Sequence, residues 1–202
     1  MSNEGRLLFI RHGETPANID KVWHGQIDTP LSATGQQQVK ALGRHFHKVM
    51  RPDVIYASPL QRARITAESI AQAQGMAVDL QPDLMEFHIG EWENISYDRL
   101  HNEFGFFKSM MEDEHFCAPA GESRAEATQR FTTAVEKIAA LHAGENVAIV
   151  AHGMVMSFAL AHWLQDDTTK WLDYPMENTA ITEFCLQPAA LIALNQVDHL
   201  DA

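Results

Sequence analysis

The sequence has few cysteines and no long hydrophobic run, and each absence excludes a class of protein. Only Cys117 and Cys185 occur among 202 residues. They form no CxxC pair, so neither a disulfide scaffold nor a thiolate zinc site is expected. No apolar run approaches the ~18–20 residues of a membrane-spanning helix. The apolar run at residues 7–10 is too short for the core of a signal peptide. We therefore expect a cytoplasmic protein.

Basic residues are also scarce relative to acidic ones. The chain has 15 Lys and Arg against 27 Asp and Glu, which gives a net charge of −12. Such a surface repels phosphate backbones, so we expect no nucleic-acid partner and no docking to an anionic membrane. The apolar fraction of 46% excludes a disordered chain. The length predicts a single domain that spans residues 1–202.

Short apolar runs alternate with segments of helical periodicity. Strands are predicted at residues 7–10, 54–57, 76–80 and 147–151, with a further pair at 180–186 and 191–197. One helix is indicated by the spacing of Val39, Leu42, Phe46 and Val49, and it stops before Pro52. Later helices are predicted at residues 59–74, at 124–144 after the Ser123 and Glu126 capping box, and at 154–164.

The second of these helices has distinctive signals at both ends. Ser58 offers an N-cap, Pro59 suits the first helical position, and Gly75 suits the C-terminal end.

Alternation of strands and helices predicts an α/β fold. We expect a mainly parallel sheet flanked by helices on both faces. The stretch 87–121 interrupts this alternation and is rich in aromatic and charged residues. We interpret it as a small cap insertion over one end of the sheet. Its aromatic and methionine side chains serve either as a substrate-pocket wall or as packing.

Chemically versatile residues follow several of the predicted strands. Because ligands bind at the carboxyl ends of strands in open α/β sheets, these residues should meet at one edge. The residues in question are Arg11, His12, Arg62, Glu86 and His152.

This set of side chains suits phosphoryl transfer. Two guanidinium groups match and neutralise a phosphate dianion. A neutral imidazole is a competent nucleophile near pH 7, and a partly covered carboxyl group can protonate a departing alkoxide. Gly13 and Gly153 would let a ligand approach the backbone closely. The pattern predicts transfer through a phosphohistidine.

Five ordered motifs resemble the histidine phosphatase superfamily, whose fold is phosphoglycerate mutase-like. They cover about residues 7–178. The motifs are LFIRHGET with Asn18, WHG at residues 23–25, SPLQRAR at 58–64, Glu86 before GEWE at 90–93, and PAGES at 119–123 followed by AHG at 151–153.

The resemblance implies a role for each matched residue. His12 would be the phosphorylated nucleophile, and Glu86 the general acid and then the base for water. The phosphate would be bound by Arg11, Asn18, Arg62, His152 and the Gly153 N–H. His152 is expected to carry a proton, because it must hydrogen-bond a dianion. No metal ion is implied.

Further roles are expected for residues at the opening of the cleft. Trp23 and His24 would shape the substrate pocket, and His88 could face the substrate. Asn94 stands where the family often has glycine after the Trp-Glu pair, so the backbone there could differ.

Other chemically suggestive residues favour plain structural interpretations. His45 and His47 lie two apart on a predicted helix and therefore face different ways. His115 and Cys117 have no further metal ligands nearby in the sequence. Glu14 is expected to have an orienting or structural role.

Three activities fit these residues. The favoured one is a phosphomonoester hydrolase acting on a small molecule, because the cap is short and the pattern at residues 84–93 resembles the phosphatase branch. The second is a cofactor-dependent phosphoglycerate mutase, which would require 2,3-bisphosphoglycerate; the phosphatase needs no cofactor. The third is a non-catalytic module that binds phosphate esters.

Overall fold

The computed structural model describes residues 5–48 and 51–201. Its strands are β1 (Leu7–Arg11), β2 (Val22–Trp23), β3 (Val54–Ala57), β4 (Asp79–Leu80), β5 (Ile95–Ser96), β6 (Val147–Ala151), β7 (Ile181–Leu186) and β8 (Ala189–Gln196). Its α-helices are α1 (Pro16–Asp20), α2 (Ala33–Lys48), α3 (Gln61–Gln74), α4 (Tyr97–Asn102), α5 (Phe106–Glu112), α6 (Arg124–Leu141) and α7 (Gly153–Gln165).

Six strands form one mixed sheet in the order β4-β3-β6-β1-β7-β8. The first four are mutually parallel, and β7 and β8 are antiparallel to their neighbours. This confirms the predicted mainly parallel α/β fold. Arg11 pairs with Ala151 across β1 and β6. His12 and His152 therefore leave adjacent strands at the same edge of the sheet.

Alternating side chains of β1 fill two cores, one on each face of the sheet. Leu7 and Phe9 belong to the apolar cluster that includes α6 and α7. Leu8 and Ile10 belong to the cluster that includes α2 and α3. A strand buried on both faces has a continuous run of apolar residues. For this reason apolar and polar residues do not alternate along β1.

The start of α3 differs from the prediction. The helix begins at Gln61, and its N-cap residue, Leu60, makes no side-chain capping bond. Ser58 therefore does not cap it. Instead the Asp28 carboxylate accepts a hydrogen bond from the Gln61 N–H at 2.7 Å. A residue distant in sequence thus takes the role that local sequence assigned to Ser58.

Other predicted boundaries shift by a few residues. The strand predicted at 76–80 shortens to β4, and the helix predicted to reach residue 144 ends at Leu141. The Ser123 and Glu126 capping box is confirmed, with both reciprocal bonds present. Gly75 ends α3 with a left-handed φ of 67°. Val49, which contributed to the predicted periodicity of α2, lies outside the described residues.

The insertion at 87–121 packs onto the main body through buried side chains. It contains β5, α4, α5 and a 3₁₀ turn at Gly90–Trp92. Phe106 and Met110 of α5 belong to the same apolar cluster as Phe9 and Phe158. The insertion thereby covers the sheet edge where the chemically versatile residues lie.

Asn94 has a left-handed φ of 62°. Glycine adopts this conformation freely, and asparagine is among the few other residues that tolerate it. Its N–H donates to the Trp23 carbonyl at 2.7 Å, joining the cap to β2. The departure from the family pattern is therefore conformationally conservative.

Among the helices of residues 5–48 and 51–201, none has the length and apolarity to cross a lipid bilayer.

Candidate active site

His12 follows β1 and is held in one tautomer by the backbone. Its Nδ1 lies 2.7 Å from the Gly13 carbonyl oxygen. Because a carbonyl only accepts, Nδ1 carries the proton and donates, which leaves Nε2 with a free lone pair. Burial lowers the pKa of His12 well below its ordinary value, and the nearby Arg62 and Arg11 lower it further. The ring is therefore neutral and nucleophilic at Nε2.

His152 lies directly beside His12, with ring centroids 5.2 Å apart. It is fully buried, and its Nε2 lies 2.8 Å from Ser58 Oγ. Its Nδ1 has no hydrogen-bond partner in the part of the chain that the structure describes. Burial, followed by Arg62 and His12, lowers the pKa of His152 well below its ordinary value. The protein's own charges therefore favour the neutral ring, whereas the proton expected on His152 was argued from a bound dianion.

Two guanidinium groups are anchored to backbone carbonyls around the histidines. Arg62, in the first turn of α3, donates to the carbonyls of Gly25 at 2.6 Å and Ile27 at 2.9 Å. Arg11, at the end of β1, donates to the Met176 carbonyl at 2.6 Å. Burial lowers the pKa of both arginines, while the Glu86 carboxylate raises it. Since the ordinary pKa of arginine lies far above neutrality, both guanidinium groups stay charged and flank the two histidines.

Glu86 lies at the N-terminus of α7. Its carboxylate accepts hydrogen bonds from the N–H groups of Met154 at 3.2 Å and Val155 at 3.1 Å, and from its neighbour Phe87 at 2.8 Å. Burial raises the pKa of Glu86 and outweighs these bonds and the attraction of Arg62, which lower it. A carboxyl group with a raised pKa can hold a proton and deliver it to a leaving group.

Asn18 belongs to a capping box at the start of α1. Its Oδ1 accepts from the Thr15 N–H at 3.0 Å and from the Asn178 amide at 3.3 Å. With Oδ1 occupied, its NH₂ group remains as a donor at the cavity that Asn18 lines. An uncharged donor beside two cations fits an anion-binding role.

A cavity of about 410 Å³ brings most of the predicted site residues together. The predicted residues that line it are Arg11, His12, Asn18, Trp23, His24, Arg62, Glu86 and Gly153. Of the described residues that were predicted for the site, His152 and His88 do not line it. His152 is fully buried beside His12, and the His88 ring instead contacts the Glu93 carboxylate at 2.6 Å.

The two glycines of the RHG and AHG motifs differ in role. A Cβ on Gly13 would come within 3.0 Å of the Gly35 carbonyl and the Val39 side chain. Gly13 therefore permits packing against α2, and the prediction that it admits a ligand is wrong. Gly153 lines the cavity at the first position of α7. The first N–H groups of a helix have no intrahelical acceptor, which leaves this one available to an anion.

The sequence left open whether the aromatic side chains of residues 87–121 form a pocket wall or only pack, and Tyr97 and Phe107 of this cap line the cavity. Sequence reasoning missed Trp171 and Leu172, which come from the 3₁₀ segment at Thr168–Asp173. Their aromatic and apolar character was visible, but no motif or periodicity placed them at the cleft. Asn178 was also missed, although its amide donates to the His12 carbonyl at 3.0 Å.

The plain structural interpretations agree with the observed contacts. The Glu14 carboxylate accepts from the Ser32 hydroxyl at 2.7 Å. His47 contacts the Ala73 carbonyl at 3.0 Å, and His45 lies against the ring of His199. Within residues 5–48 and 51–201, no three metal-ligating side chains converge.

Comparison with known proteins gives consistent results at the level of sequence. The family model described as the histidine phosphatase superfamily (branch 1) matches residues 7–196. The chain is 31% identical to the adenosylcobalamin/alpha-ribazole phosphatase of Escherichia coli, over 77% of each chain. It is 35% identical to a protein of Erwinia tasmaniensis named probable phosphoglycerate mutase GpmB, over 75% of this chain and 71% of that one.

The fold is also similar to that of solved enzymes. Phosphoserine phosphatase of Entamoeba histolytica, solved in complex with 3-phosphoglyceric acid, matches with a TM-score of 0.87 and 27% identity. The match covers 97% of this chain and 99% of that one.

Proposed function

Because this chain belongs to the histidine phosphatase superfamily, we propose that it hydrolyses small phosphomonoesters through a phosphohistidine on His12. The observation that carries the proposal is the state of His12. Its Nδ1 proton is bound by the Gly13 carbonyl, its Nε2 lone pair is free, and its ring lines a cavity with two guanidinium groups. A neutral nucleophile placed beside two fixed cations suits attack on an anionic phosphoryl group.

In the first step, His12 Nε2 forms a bond to phosphorus while the bond from phosphorus to the ester oxygen breaks. Glu86 gives its proton to that oxygen, which leaves as an alcohol. The raised pKa of the Glu86 carboxyl supports this role. Arg11 and Arg62 hold the phosphoryl oxygens, and the Asn18 amide and the Gly153 N–H assist them.

In the second step, water attacks the phosphohistidine. Glu86, now a carboxylate, takes a proton from that water, and the nitrogen–phosphorus bond breaks. Inorganic phosphate and neutral His12 are formed, and Glu86 regains its proton. Atoms and charges balance without a further reactant, so we propose that no cofactor or metal ion takes part.

Although His152 does not line the cavity, its ring lies beside that of His12, with centroids 5.2 Å apart, so we assign its Nδ1 as a further donor to the phosphoryl group on His12. The Ser58 hydroxyl accepts from the Leu60 N–H at 3.3 Å, and its own proton can be donated to His152 Nε2. That arrangement places the ring proton on Nδ1, the nitrogen without a protein partner. A neutral His152 can therefore donate to a dianion.

The mutase alternative is favoured by one observation, the 35% identity to a probable phosphoglycerate mutase. The same phosphohistidine would then return its phosphoryl group to a second hydroxyl. The two functions differ in the acceptor of the phosphoryl group, which is water in one and an alcohol in the other.

A product analysis distinguishes the candidates. The purified chain is incubated in EDTA with p-nitrophenyl phosphate, and separately with 3-phosphoglycerate with and without 2,3-bisphosphoglycerate. We expect release of inorganic phosphate in EDTA and none from His12→Ala. Isomer formation that depends on 2,3-bisphosphoglycerate would establish the mutase. Tight binding of phosphate esters without turnover would establish the non-catalytic module.

A further inference from the structure

The cavity is lined by a few charged side chains and by many apolar and aromatic ones. Arg11, Arg62 and Glu86 supply the charges, with His12 among them. The apolar and aromatic residues come from two separate parts of the chain. One wall is built by Trp23, Tyr97 and Phe107, and the other by Trp171, Leu172 and Met176.

The cap-side wall is fixed by aromatic packing. The Trp23 indole N–H lies 3.4 Å from the Phe87 carbonyl, and the indole is nearly buried. Tyr97 packs edge-on against Trp23 with ring centroids 5.8 Å apart, and Phe107 lies 6.2 Å from the same indole. These rings hold one another in place, so the wall presents aromatic surface to any occupant.

The opposite wall is tied to the cap and to α7. The Trp171 indole N–H lies 3.4 Å from the Met111 sulfur, and the indole packs edge-on against Phe158 at 6.2 Å. Leu172, beside it, is 66% exposed at the cavity rim. An exposed leucine beside a fixed tryptophan is an apolar surface available to a ligand.

Few of the side chains that line the cavity are charged. Among the described residues that line the cavity, the charged side chains are Arg11, Arg62 and Glu86, which the proposed reaction uses at the phosphate. His24 lines the cavity too, but burial, followed by Arg62, lowers its pKa, so it is neutral near pH 7. A carboxylate on the substrate would therefore lose its water without gaining a cation of its own.

We infer that the preferred substrate is a phosphomonoester of an uncharged, ring-bearing alcohol or phenol. This inference rests on the proposed hydrolysis at His12. The substrate ring occupies the space between the two apolar walls, where stacking and edge contacts stabilise an aromatic or hydrocarbon face. A cavity of about 410 Å³ accommodates a leaving group of that size. The net charge of −12 further disfavours substrates with additional negative charge.

The test compares esters whose leaving groups are all aliphatic alcohols, so that leaving-group chemistry is nearly matched. The esters are 2-phenylethyl phosphate, glycerol 3-phosphate, 3-phosphoglycerate and phosphoserine. We expect kcat/KM for 2-phenylethyl phosphate to exceed that for 3-phosphoglycerate by about 100-fold, because an unpaired desolvated carboxylate opposes binding. Glycerol 3-phosphate, which is small but has an uncharged leaving group, should fall between them.

Substitutions in the two walls test which residues cause the substrate preference. Phe107→Ala should lower kcat/KM for 2-phenylethyl phosphate by about tenfold, and by more than it lowers kcat/KM for glycerol 3-phosphate. Leu172→Arg should raise kcat/KM for 3-phosphoglycerate. Leu141→Arg is the matched control, since Leu141 is 74% exposed at the end of α6 and does not line the cavity.

The possible outcomes separate this inference from the proposed function. Hydrolysis of all four esters with 3-phosphoglycerate or phosphoserine preferred would overturn the inference and leave the hydrolase intact. Equal kcat/KM values would also overturn it. Binding of inorganic phosphate without hydrolysis of any ester would overturn the hydrolase itself, and this inference with it.

Discussion

A proton on one ring nitrogen decides what each buried histidine can do. His12 is fixed by a carbonyl that only accepts, so its reactive nitrogen is defined by the fold itself. His152 has a hydroxyl as its partner, and a hydroxyl both donates and accepts. The Ser58 hydroxyl therefore controls whether His152 offers a donor or a lone pair to a phosphoryl group.

Replacing Ser58 by alanine tests that control. We expect Ser58→Ala to lower kcat/KM by about 10- to 100-fold, because His152 loses the bond that orients its ring. The ¹⁵N chemical shifts of His152 should show a changed tautomer balance. Ser69→Ala is the control, since the Ser69 hydroxyl donates to the Thr66 carbonyl and contacts neither histidine. Unchanged ¹⁵N shifts in Ser58→Ala would contradict the assigned role.

Glu86 provides a second prediction for a single residue. Glu86→Gln removes the acidic proton, so kcat/KM for an alkyl phosphate, which reports the first step, should fall about 100-fold or more. p-Nitrophenyl phosphate, whose leaving group needs no proton, should lose much less. In the unmodified protein, alkyl phosphate hydrolysis should decline as pH rises through the raised pKa of Glu86. Equal losses for both esters in the variant would remove Glu86 from the role of general acid.

The N-termini of α3 and α7 are bound by side chains that are distant in sequence. Asp28 caps α3, the helix that carries Arg62, although 33 residues separate Asp28 from Gln61. Glu86 similarly accepts from the first turn of α7. Both contacts satisfy backbone N–H groups that have no intrahelical acceptor. Since negative charge at a helix N-terminus is stabilising, the Asp28 carboxylate also favours the start of α3.

The Asp28 contact yields a prediction at this scale. Asp28→Ala should lower the free energy of unfolding by about 1 kcal/mol, the usual contribution of an N-cap side chain. It should also raise KM, because the turn that holds Arg62 loosens. Asp28→Asn, which keeps the acceptor oxygen, should recover most of both losses. Thermal or urea unfolding measures the first effect, and a stability unchanged in Asp28→Ala would contradict it.

The sequence predicts the regular elements well and the cleft wall poorly. Strands β1, β3 and β6 are visible in the sequence as apolar runs, and Ser123 with Glu126 forms a local helix cap. These signals lie within a few residues of one another. The capping of α3 by Asp28 depends on a tertiary contact. The local pattern around Ser58 therefore predicted the wrong N-cap residue. Helices α4 and α5 have six and seven residues, too few to show a period.

The site residues were predicted from motifs and strand ends. The cap wall was one of two open interpretations of residues 87–121, and the wall with Trp171 and Leu172 was not predicted. His12, Arg62 and Glu86 meet because parallel strands end at one edge, which is a rule of the fold. Trp171 and Leu172 reach the cavity through an irregular segment whose path no periodicity defines. His88 was expected to face the substrate because it lies two residues past Glu86, but its ring contacts Glu93 instead.

Across the whole molecule, neutral histidines are buried at several points, so folding is linked to pH. His199 is nearly buried, and its Nε2 lies 3.1 Å from Thr179 Oγ1. Burial lowers the pKa of His199 to about 4, His45 contributes in the same direction, and Asp198 opposes them. The Thr179 N–H in turn donates to the Arg11 carbonyl, which links this region to the site.

The sign of the pH effect follows from the lowered pKa. Between about pH 6.5 and pH 4 the unfolded chain binds a proton at His199 and the folded protein does not. The stability contributed by the neutral ring is therefore present above that window and is lost as pH falls through it. We expect the loss to be on the order of 2 kcal/mol for this residue.

Urea unfolding at several pH values measures this linkage. The slope of unfolding free energy against pH should be smaller in His199→Gln than in the unmodified protein, because glutamine does not titrate. The exposed His115→Gln variant is the control and should leave the slope unchanged. Identical slopes in His199→Gln and the unmodified protein would contradict the buried neutral state of His199.

The most direct test of the whole account is a rapid-quench experiment with a ³²P-labelled phosphomonoester. The account predicts a labelled protein within the first turnover, with the label lost in acid, kept in alkali, and located on the peptide that contains His12. His12→Ala should show no label, whereas Leu141→Arg should label normally. Label on any other residue, or label that persists in His12→Ala, would contradict a phosphohistidine at His12.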